Sequence, residues 1–158
     1  MNITVISVGK IKEKYFTAAI DEYSKRLSRF AKLNIIEVAD EKIPDNASEK
    51  EMEQIKEKEG NKILAKLPQN SFVVTLCIEG KEHSSEELAK KIADISMTSS
   101  HITFIIGGSL GLSDTVKSKS ALRLSFGKMT LPHQLMRVVL LEQIYRAFKI
   151  NNNVSYHK

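Results

Sequence analysis

The stretch ITFIIGGSLGL, residues 102–112, joins an apolar β-rich run to a loop that contains three glycines. Ile102 to Ile106 is typical of a buried strand, because the run is short, apolar and rich in β-branched side chains. Glycine lets the loop backbone turn sharply and approach a ligand closely. In open parallel sheets, ligands bind beyond the carboxyl ends of the strands. The stretch therefore predicts a strand of a parallel sheet with a ligand-binding loop at its end.

Outward from this strand, β-rich and helical patterns alternate along the chain. The predicted strands cover residues 2–8, 33–38, 71–78, 102–106 and 120–126, and the predicted helices cover residues 13–30, 48–66, 84–97 and 131–148. Strands that alternate with helices form βαβ units, which give a mostly parallel sheet with helices on both faces. No linker or internal repeat divides the chain, so we predict a single α/β domain over residues 1–158.

The composition is that of an ordinary soluble domain of 158 residues with a single cysteine, Cys77. One cysteine excludes an internal disulfide framework and a thiolate zinc cluster, and no histidine or carboxylate pair has metal-ligand spacing. We therefore predict no metal. The longest apolar runs are too short to cross a bilayer, and the first residues lack the basic region of a signal peptide. We expect a cytoplasmic protein with no membrane partner.

Positive charge is concentrated in the last third of the chain. Residues 1–100 hold 16 Lys and Arg against 17 Asp and Glu, whereas residues 101–158 hold 8 against 2. A basic segment suggests an anionic partner, most simply nucleic acid, although a solubilising surface charge is an equal alternative. The highly charged helix at 48–66 is expected to be a solvated face.

The helix predicted at 131–148 carries apolar side chains around most of its circumference. They are Leu135, Met136, Val138, Val139, Leu140, Leu141, Ile144, Tyr145 and Phe148. A helix that is apolar all round is buried on more than one side. In a domain of this size a partner subunit is the natural second cover, so we predict a homodimer. Burial of the helix within one chain is the alternative.

The glycine loop at 107–111 matches neither a Walker A loop nor the dinucleotide-binding fingerprint. It does match the G-x-S-x-G pattern of a nucleophile elbow, with Ser109 as the nucleophile. Asp114 and either His133 or His157 would follow in the order that a hydrolase triad requires. A serine hydrolase is therefore an alternative function, although Asp114 comes unusually soon after Ser109 for a triad acid.

The loop at 126–133 suits an adenine ring. It follows the fifth predicted strand, and its free backbone N–H groups beside apolar walls match a ring with a polar edge and apolar faces. The walls would come from Leu76, Ile106, Phe126 and Leu131.

The last residues, Tyr156, His157 and Lys158, follow Arg146 and Lys149. Together they offer an aromatic ring, an imidazole and cations, which suit stacking on a base and holding its phosphate. A frayed terminus is the alternative interpretation of this tail.

Several of these stretches match one protein family. They are Val-Gly-Lys at 8–10, Lys-Glu-Gly at 58–60, Ile-Gly-Gly-Ser at 106–109, Gly-Leu at 111–112, Lys-Met-Thr-Leu-Pro-His at 128–133, Leu-Glu-Gln-Ile-Tyr-Arg-Ala at 141–147 and the closing Tyr-His-Lys. Over essentially its whole length, the chain resembles the RlmH family of large-subunit ribosomal RNA methyltransferases. The resemblance implies the SPOUT class, an α/β fold with a deep trefoil knot near the C-terminus that acts as a homodimer.

The resemblance also implies a cofactor and a substrate. S-adenosylmethionine would bind in the knot loops at the positions that match the family, which are Leu76, Gly107, Phe126, Gly127, Lys128, Met129, Thr130 and Leu131. The glycines then form a cofactor cradle, and Ser109 is no longer a nucleophile. The implied substrate is a pseudouridine of 23S large-subunit rRNA, methylated at N3 in the assembled ribosome.

On this resemblance the tail would serve catalysis. The imide N3–H must lose its proton during attack, and His157 is the predicted acceptor because imidazole titrates near neutrality. Tyr156 would flank the base and Arg146 would hold a phosphate beside it, while Lys149 and Lys158 would bind RNA. An RNA-binding module without catalysis is a rival interpretation, since it would bind RNA yet transfer no methyl group.

Overall fold

The computed structural model describes residues 1–156, in which strands and helices alternate as predicted. The elements are β1 (Asn2–Val8), α1 (Lys14–Leu27), β2 (Lys32–Val38), α2 (Glu49–Lys66), β3 (Phe72–Glu82), α3 (Ser85–Ser96), β4 (His101–Ile106), α4 (Asp114–Ser118), β5 (Leu122–Ser125) and α5 (His133–Asn151).

The five strands form one sheet in the order β2-β1-β4-β3-β5, and every neighbouring pair is parallel. This confirms the predicted α/β fold with a parallel sheet. Since all strands run the same way, their carboxyl ends meet at one edge, where ligands bind in such sheets. The trefoil knot depends on the path of the connections, which strand order does not test, so the knot stays a prediction.

Helices cover both faces of the sheet, as predicted. On one face, Val5 and Phe104 of the sheet pack in a core that includes Leu27 of α1 and residues of α3 and α5. On the other face, Ile6 and Ile105 pack with residues of α2 and α4. Side chains of successive strand residues alternate between these two cores, as the pleat of a strand requires.

Some boundaries differ from those predicted. β3 continues past Ile78 because its pairing with β5 shifts between Leu76 and Lys81 and then resumes. α5 begins at His133 rather than at 131, because Pro132 has the extended ψ of 135° and is the N-cap rather than a residue of the first turn. The short helix α4 follows the glycine loop and is capped by the hydroxyl of Ser113.

α5 lies on the sheet between α1 and α3. Its C-terminal half is therefore covered within one chain, with Leu140, Leu141 and Ile144 almost completely buried. Near its N-terminus, Leu135 and the Val138-Val139 pair are only half-buried. Burial within the chain thus accounts for much of the apolar circumference, and the homodimer stays a prediction supported by the remaining half-covered stripe.

Candidate functional site

A cavity of about 720 Å³ lies at the carboxyl ends of β3, β4 and β5. Its walls come mainly from the three loops that follow these strands, at 76–79, 106–112 and 126–133. Small-molecule sites in proteins are roughly 300–1,000 Å³ and mostly apolar with a few polar groups. The cavity therefore has room for a nucleoside-sized ligand at the edge where a parallel sheet binds its ligands.

The glycine loop after β4 folds back on itself. The Gly111 N–H donates to the Gly108 carbonyl oxygen over 3.0 Å. A Cβ added at Gly107 would lie 2.8 Å from the carbonyl carbon of Gly111. Glycine is thus required at 107 because the loop backbone approaches so closely. A larger residue would clash with the loop itself, whether or not a ligand is bound.

A buried carboxylate lies beside this loop. Glu59 of α2 is 5% exposed, and its Oε2 accepts from the Glu41 N–H over 3.0 Å. A Cβ added at Gly108 would be 3.4 Å from Glu59 Oε1. Burial raises the pKa of Glu59. The solvated face predicted for this helix is therefore wrong at Glu59, which belongs to the Lys-Glu-Gly stretch that matched the family.

The loop after β5 forms the opposite wall. Ser125 ties it to β3, since its hydroxyl donates to the Ile78 carbonyl and accepts from the Gly127 N–H. Gly127 has a φ of +115°, which favours glycine. Pro132 gives α5 no side-chain cap, so the first N–H groups of the helix have no partner from a cap residue. The Gly127 N–H, which we expected to be free, is used by Ser125, so the start of α5 supplies the uncapped N–H groups at this wall. The adenine site stays a prediction.

The structure brings most of the predicted cofactor residues together. Seven of them line the cavity, namely Leu76, Gly107, Phe126, Gly127, Met129, Thr130 and Leu131. Lys128 is exposed in the same loop and is not among the lining residues. The three loops are far apart in sequence, so their convergence is a consequence of the strand order β4-β3-β5.

The first turn of α5 adds His133, which sequence reasoning considered only as part of the 126–133 loop and as a possible hydrolase histidine. His133 lines the cavity, and its Nδ1 is buried without a hydrogen-bond partner among the described residues. Burial, and then the nearby charge of Arg137, lowers the pKa of His133, which favours the neutral imidazole. The Leu-Pro-His match was the available signal for this position.

Arg137 joins α5 to the end of β1. It is 3% exposed, and its Nη2 donates to the carbonyl oxygens of Val8 and Gly9 over 2.8 and 2.7 Å. Its Nη1 donates to Glu37 Oε2 over 2.7 Å. A buried arginine with three short bonds holds the start of α5, and therefore the loop before it, against the sheet.

The predicted catalytic tail packs on the C-terminal half of α5, from Glu142 onward, which we call the tail end of the helix. Arg146 donates to both carboxylate oxygens of Glu142, and the Tyr156 hydroxyl donates to Glu142 Oε1 over 3.2 Å. The Arg146 guanidinium carbon is 4.7 Å from the centroid of the Tyr156 ring. Tyr156 is thus packed on the helix rather than frayed. At 1.5 Å per residue, Glu142 is about 14 Å along the helix from His133.

Of the three remaining residues predicted for the tail site, the structure describes only Lys149. Lys149 lies at the same end of α5, with its Nζ 5.8 Å from the centroid of the Tyr145 ring. His157 and Lys158 lie outside the described residues. Within one chain, the structure therefore does not bring Arg146, Tyr156 and Lys149 to the cavity that holds the predicted cofactor residues.

The hydrolase alternative receives no support from the geometry. Ser109 is exposed, and over residues 1–156 no hydrogen bond links it to Asp114 or His133. Asp114 begins α4 and is exposed. Among the described residues, no group of three or more potential His, Cys, Asp or Glu ligands is suited to a metal ion. No helix in this part of the chain is long and apolar enough to cross a membrane.

Comparison with known proteins agrees with the fold. The family model described as "Predicted SPOUT methyltransferase" matches residues 1–157. The chain is 60% identical to the ribosomal RNA large subunit methyltransferase H of Clostridioides difficile (strain 630) and 62% identical to that of Clostridium novyi (strain NT), in both cases over 100% of each chain.

Solved structures share the fold at low sequence identity. A tRNA (m1G37) methyltransferase from Aquifex aeolicus superposes with a TM-score of 0.53 at 13% identity, covering 92% of this chain and 70% of that one. A Legionella pneumophila structure with bound cofactor SAM gives a TM-score of 0.50 at 13% identity, covering 93% and 66%. Because the family model and the full-length relatives agree, the chain belongs to the SPOUT methyltransferases, in the RlmH family of ribosomal RNA large subunit methyltransferases H.

Proposed function

We propose that this chain transfers a methyl group from S-adenosylmethionine to N3 of a pseudouridine in 23S rRNA, acting in the cytoplasm on the assembled ribosome. The observation that carries the proposal is the cavity at the ends of β3, β4 and β5, lined by seven of the eight predicted cofactor residues. Relatives at 60–62% identity over their full length are named ribosomal RNA large subunit methyltransferase H. The whole chain, residues 1–158, would act as one SPOUT domain with its knot at the cavity.

The cavity residues fit the proposed cofactor. Leu76, Phe126 and Leu131 would pack on the adenine faces, and the uncapped N–H groups at the start of α5 would meet its polar edge. When bound, S-adenosylmethionine supplies a methyl group that its sulfonium already activates for displacement. The task left to the protein is to align this group with the attacking nitrogen.

The tail would supply the substrate side of the reaction. Tyr156 would flank the base, Arg146 would hold a phosphate, and Lys149 and Lys158 would add further contacts to the RNA backbone. His157 would accept the N3 proton, a role that suits a group titrating near neutrality. Arg146 would have to exchange part of its bonding to Glu142 for the phosphate.

We further propose that each site is shared between two chains. The tail contacts begin at Glu142, about 14 Å along the helix from His133, so a single chain keeps its tail contacts and its cavity apart. Leu135 and the Val138-Val139 pair leave a half-covered apolar stripe near the cavity end. If this stripe packs on its own copy about a two-fold axis, antiparallel helices bring the tail end of one α5 to the cavity end of the other.

The test is methyl transfer from labelled S-adenosylmethionine to intact ribosomes and, separately, to naked rRNA. We expect labelling of a single pseudouridine in 23S rRNA, at a higher rate in the ribosome. Mapping the label to another nucleotide would overturn the proposed substrate. Tight RNA binding with no transfer to either substrate would instead favour an RNA-binding module.

A further inference from the structure

The segment between β1 and α1 exposes a row of lysines. In the sequence Lys10-Ile11-Lys12-Glu13-Lys14, the three lysines are exposed, while Ile11 and Glu13 are half-buried. Glu13 turns inward far enough that its Oε2 is buried. The alternation therefore places all three positive charges on the solvent side and hides the one acidic group among them.

The segment is fixed in place beside the candidate site. The Ile11 N–H donates to Glu37 Oε2 over 3.2 Å, and the same oxygen accepts from Arg137. Arg137 also binds the carbonyl oxygen of Gly9, directly before Lys10. One helical turn earlier on α5, His133 lines the cavity. The lysines thus lie at the same edge of the sheet as the cavity, after β1, which pairs with β4. The Glu37–Arg137 network holds both this segment and the start of α5.

The charges of the segment are available to a partner. Over residues 1–156, none of the side chains of Lys10, Lys12 and Lys14 has an ion pair or hydrogen bond. By contrast, Lys62 and Lys117 elsewhere on the surface are paired with acidic side chains. Glu37, which accepts from the Ile11 N–H, has its ion pair with Arg137 and not with these lysines.

An exposed aromatic ring adjoins the lysines. Tyr15 is 68% exposed, and its ring centroid is 4.6 Å from that of Phe16. An exposed ring next to several cations suits a single-stranded nucleic acid, because lysines contact phosphates and the ring stacks on an unpaired base. A solubilising surface needs lysines but gains nothing from an exposed tyrosine.

We propose that the segment Lys10–Tyr15 is an RNA-docking surface that holds the rRNA backbone at the rim of the cavity. This inference rests on the proposed rRNA substrate and adds a second contact region to the tail. The three lysines bind phosphates and supply affinity rather than chemistry. Tyr15 stacks on an unpaired base next to the nucleotide that is methylated.

The test compares two triple variants that change the net charge equally. The variant K10Q/K12Q/K14Q removes the proposed surface, and K32Q/K66Q/K119Q removes three exposed lysines from the ends of elements at the opposite edge of the sheet. Binding to ribosomes is measured over a salt series, together with KM and kcat for methyl transfer and the affinity for S-adenosylmethionine. All six positions are exposed, so both variants should fold.

We expect K10Q/K12Q/K14Q to lower the slope of log affinity against log salt by roughly 2, because each lost phosphate contact removes about 0.7–0.9. KM for ribosomes should rise about tenfold or more, with kcat and cofactor affinity nearly unchanged. Tyr15→Ala should raise KM while Tyr15→Phe should not. The control triple should behave like the wild type.

Equal losses in the two triple variants would overturn the surface, since they would mean that only net charge matters. A wild type that transfers no methyl group to rRNA would overturn the proposed function instead. In that case the salt series of ribosome binding still decides between the segment and the control, so the two failures are distinguishable.

Discussion

The two ends of α5 treat their polar groups in opposite ways. At the cavity end, His133 Nδ1, Gln134 Oε1 and Arg137 Nε are buried without partners among the described residues. At the tail end, Glu142, Arg146 and Tyr156 satisfy one another through ion pair, hydrogen bonds and ring contact. Buried polar groups without partners are costly and are common at functional sites.

The difference indicates that the two ends of α5 differ in how readily their polar groups can bind a further partner. At the cavity end, the unpartnered Nδ1 of His133, which lines the cavity, and the uncapped N–H groups would gain most from a ligand. The tail end holds its groups in a closed cluster that is complete within the chain. A partner subunit or an RNA phosphate must compete with Glu142 before Arg146 becomes available to a substrate.

The largest expected effect comes from removing the tail. A chain truncated after Ser155 should bind S-adenosylmethionine as the full chain does, because the cavity is lined by other residues. Methyl transfer to ribosomes should fall by about 100-fold or more, since orientation and proton transfer are both lost. Calorimetry and labelled transfer measure the two quantities. Transfer at the wild-type rate would remove the tail from the site.

A mixture of two defective chains tests whether the ends of two helices meet. The truncated chain keeps its cavity, and a Gly107→Val chain keeps its tail. Transfer is measured at an S-adenosylmethionine concentration that does not saturate the Gly107→Val chain. If sites are shared, co-expression should restore about a quarter of wild-type transfer, because half of the dimers are mixed and each has one complete site. No recovery in a preparation that sediments as mixed dimers would contradict the shared site.

Arg137 at the cavity end and Arg146 at the tail end should differ in their contribution to the free energy of unfolding. Arg137→Met should lower the free energy of unfolding by about 3 kcal/mol, because it breaks a buried charged network and strands two backbone carbonyls. Arg146→Met should cost about 1 kcal/mol, because its ion pair with Glu142 is partly exposed. Urea unfolding measures both. Equal losses would mean that Arg137 is no more important to the fold than Arg146.

Within the glycine loop, position 107 should tolerate substitution less well than position 109. Gly107→Val should weaken S-adenosylmethionine binding by about tenfold or more, because the added carbons displace Gly111 and Leu112. Ser109→Ala, an exposed position in the same loop, should keep both binding and transfer. Isothermal calorimetry is the measurement. Loss of binding in Ser109→Ala would contradict this difference, whereas covalent labelling of Ser109 by a serine-hydrolase probe would revive the hydrolase alternative.

The smallest effect is the pH dependence of the cavity end. Burial lowers the pKa of His133 in the folded chain below the ordinary value of 6.5, so the unfolded chain binds more protons there as pH falls. The contribution of His133 to stability is therefore complete above about pH 6.5 and is lost as pH falls towards its folded pKa.

His133→Gln should remove the part of the stability loss at acid pH that comes from His133. The comparison is the difference in free energy of unfolding between wild type and variant across the pH series, which cancels the opposite contribution of Glu59, whose pKa burial raises. Parallel curves for the two proteins would contradict the assignment.

Sequence patterns predicted the features that repeat along the chain. Alternating strands and helices gave the parallel sheet, and the glycines at 107–111 together with the 126–133 loop gave two walls of the cavity. Burial of Glu59 and Arg137 was not predictable in this way, because their partners lie in other elements, up to 129 positions away for Arg137.

Two other features could not be predicted from the sequence patterns used. The covering of α5 by α1 and α3 depends on how the helices pack, and an apolar circumference alone does not say which surface covers it. The exposed lysines at 10–14 lie in a part of the chain whose net charge is close to neutral. Their shared orientation comes from the backbone between β1 and α1, which charge counts over long windows do not resolve.

The position of β1 has a consequence for how the chain folds. β1 lies between β2 and β4, and Asn2 pairs with Lys32 on one side and with His101 on the other. Contacts between residues so distant in sequence require large loops to close, and domains rich in them fold over milliseconds to seconds rather than microseconds. During synthesis, β1 leaves the ribosome before β4 and therefore lacks its second neighbour until β4 has followed it.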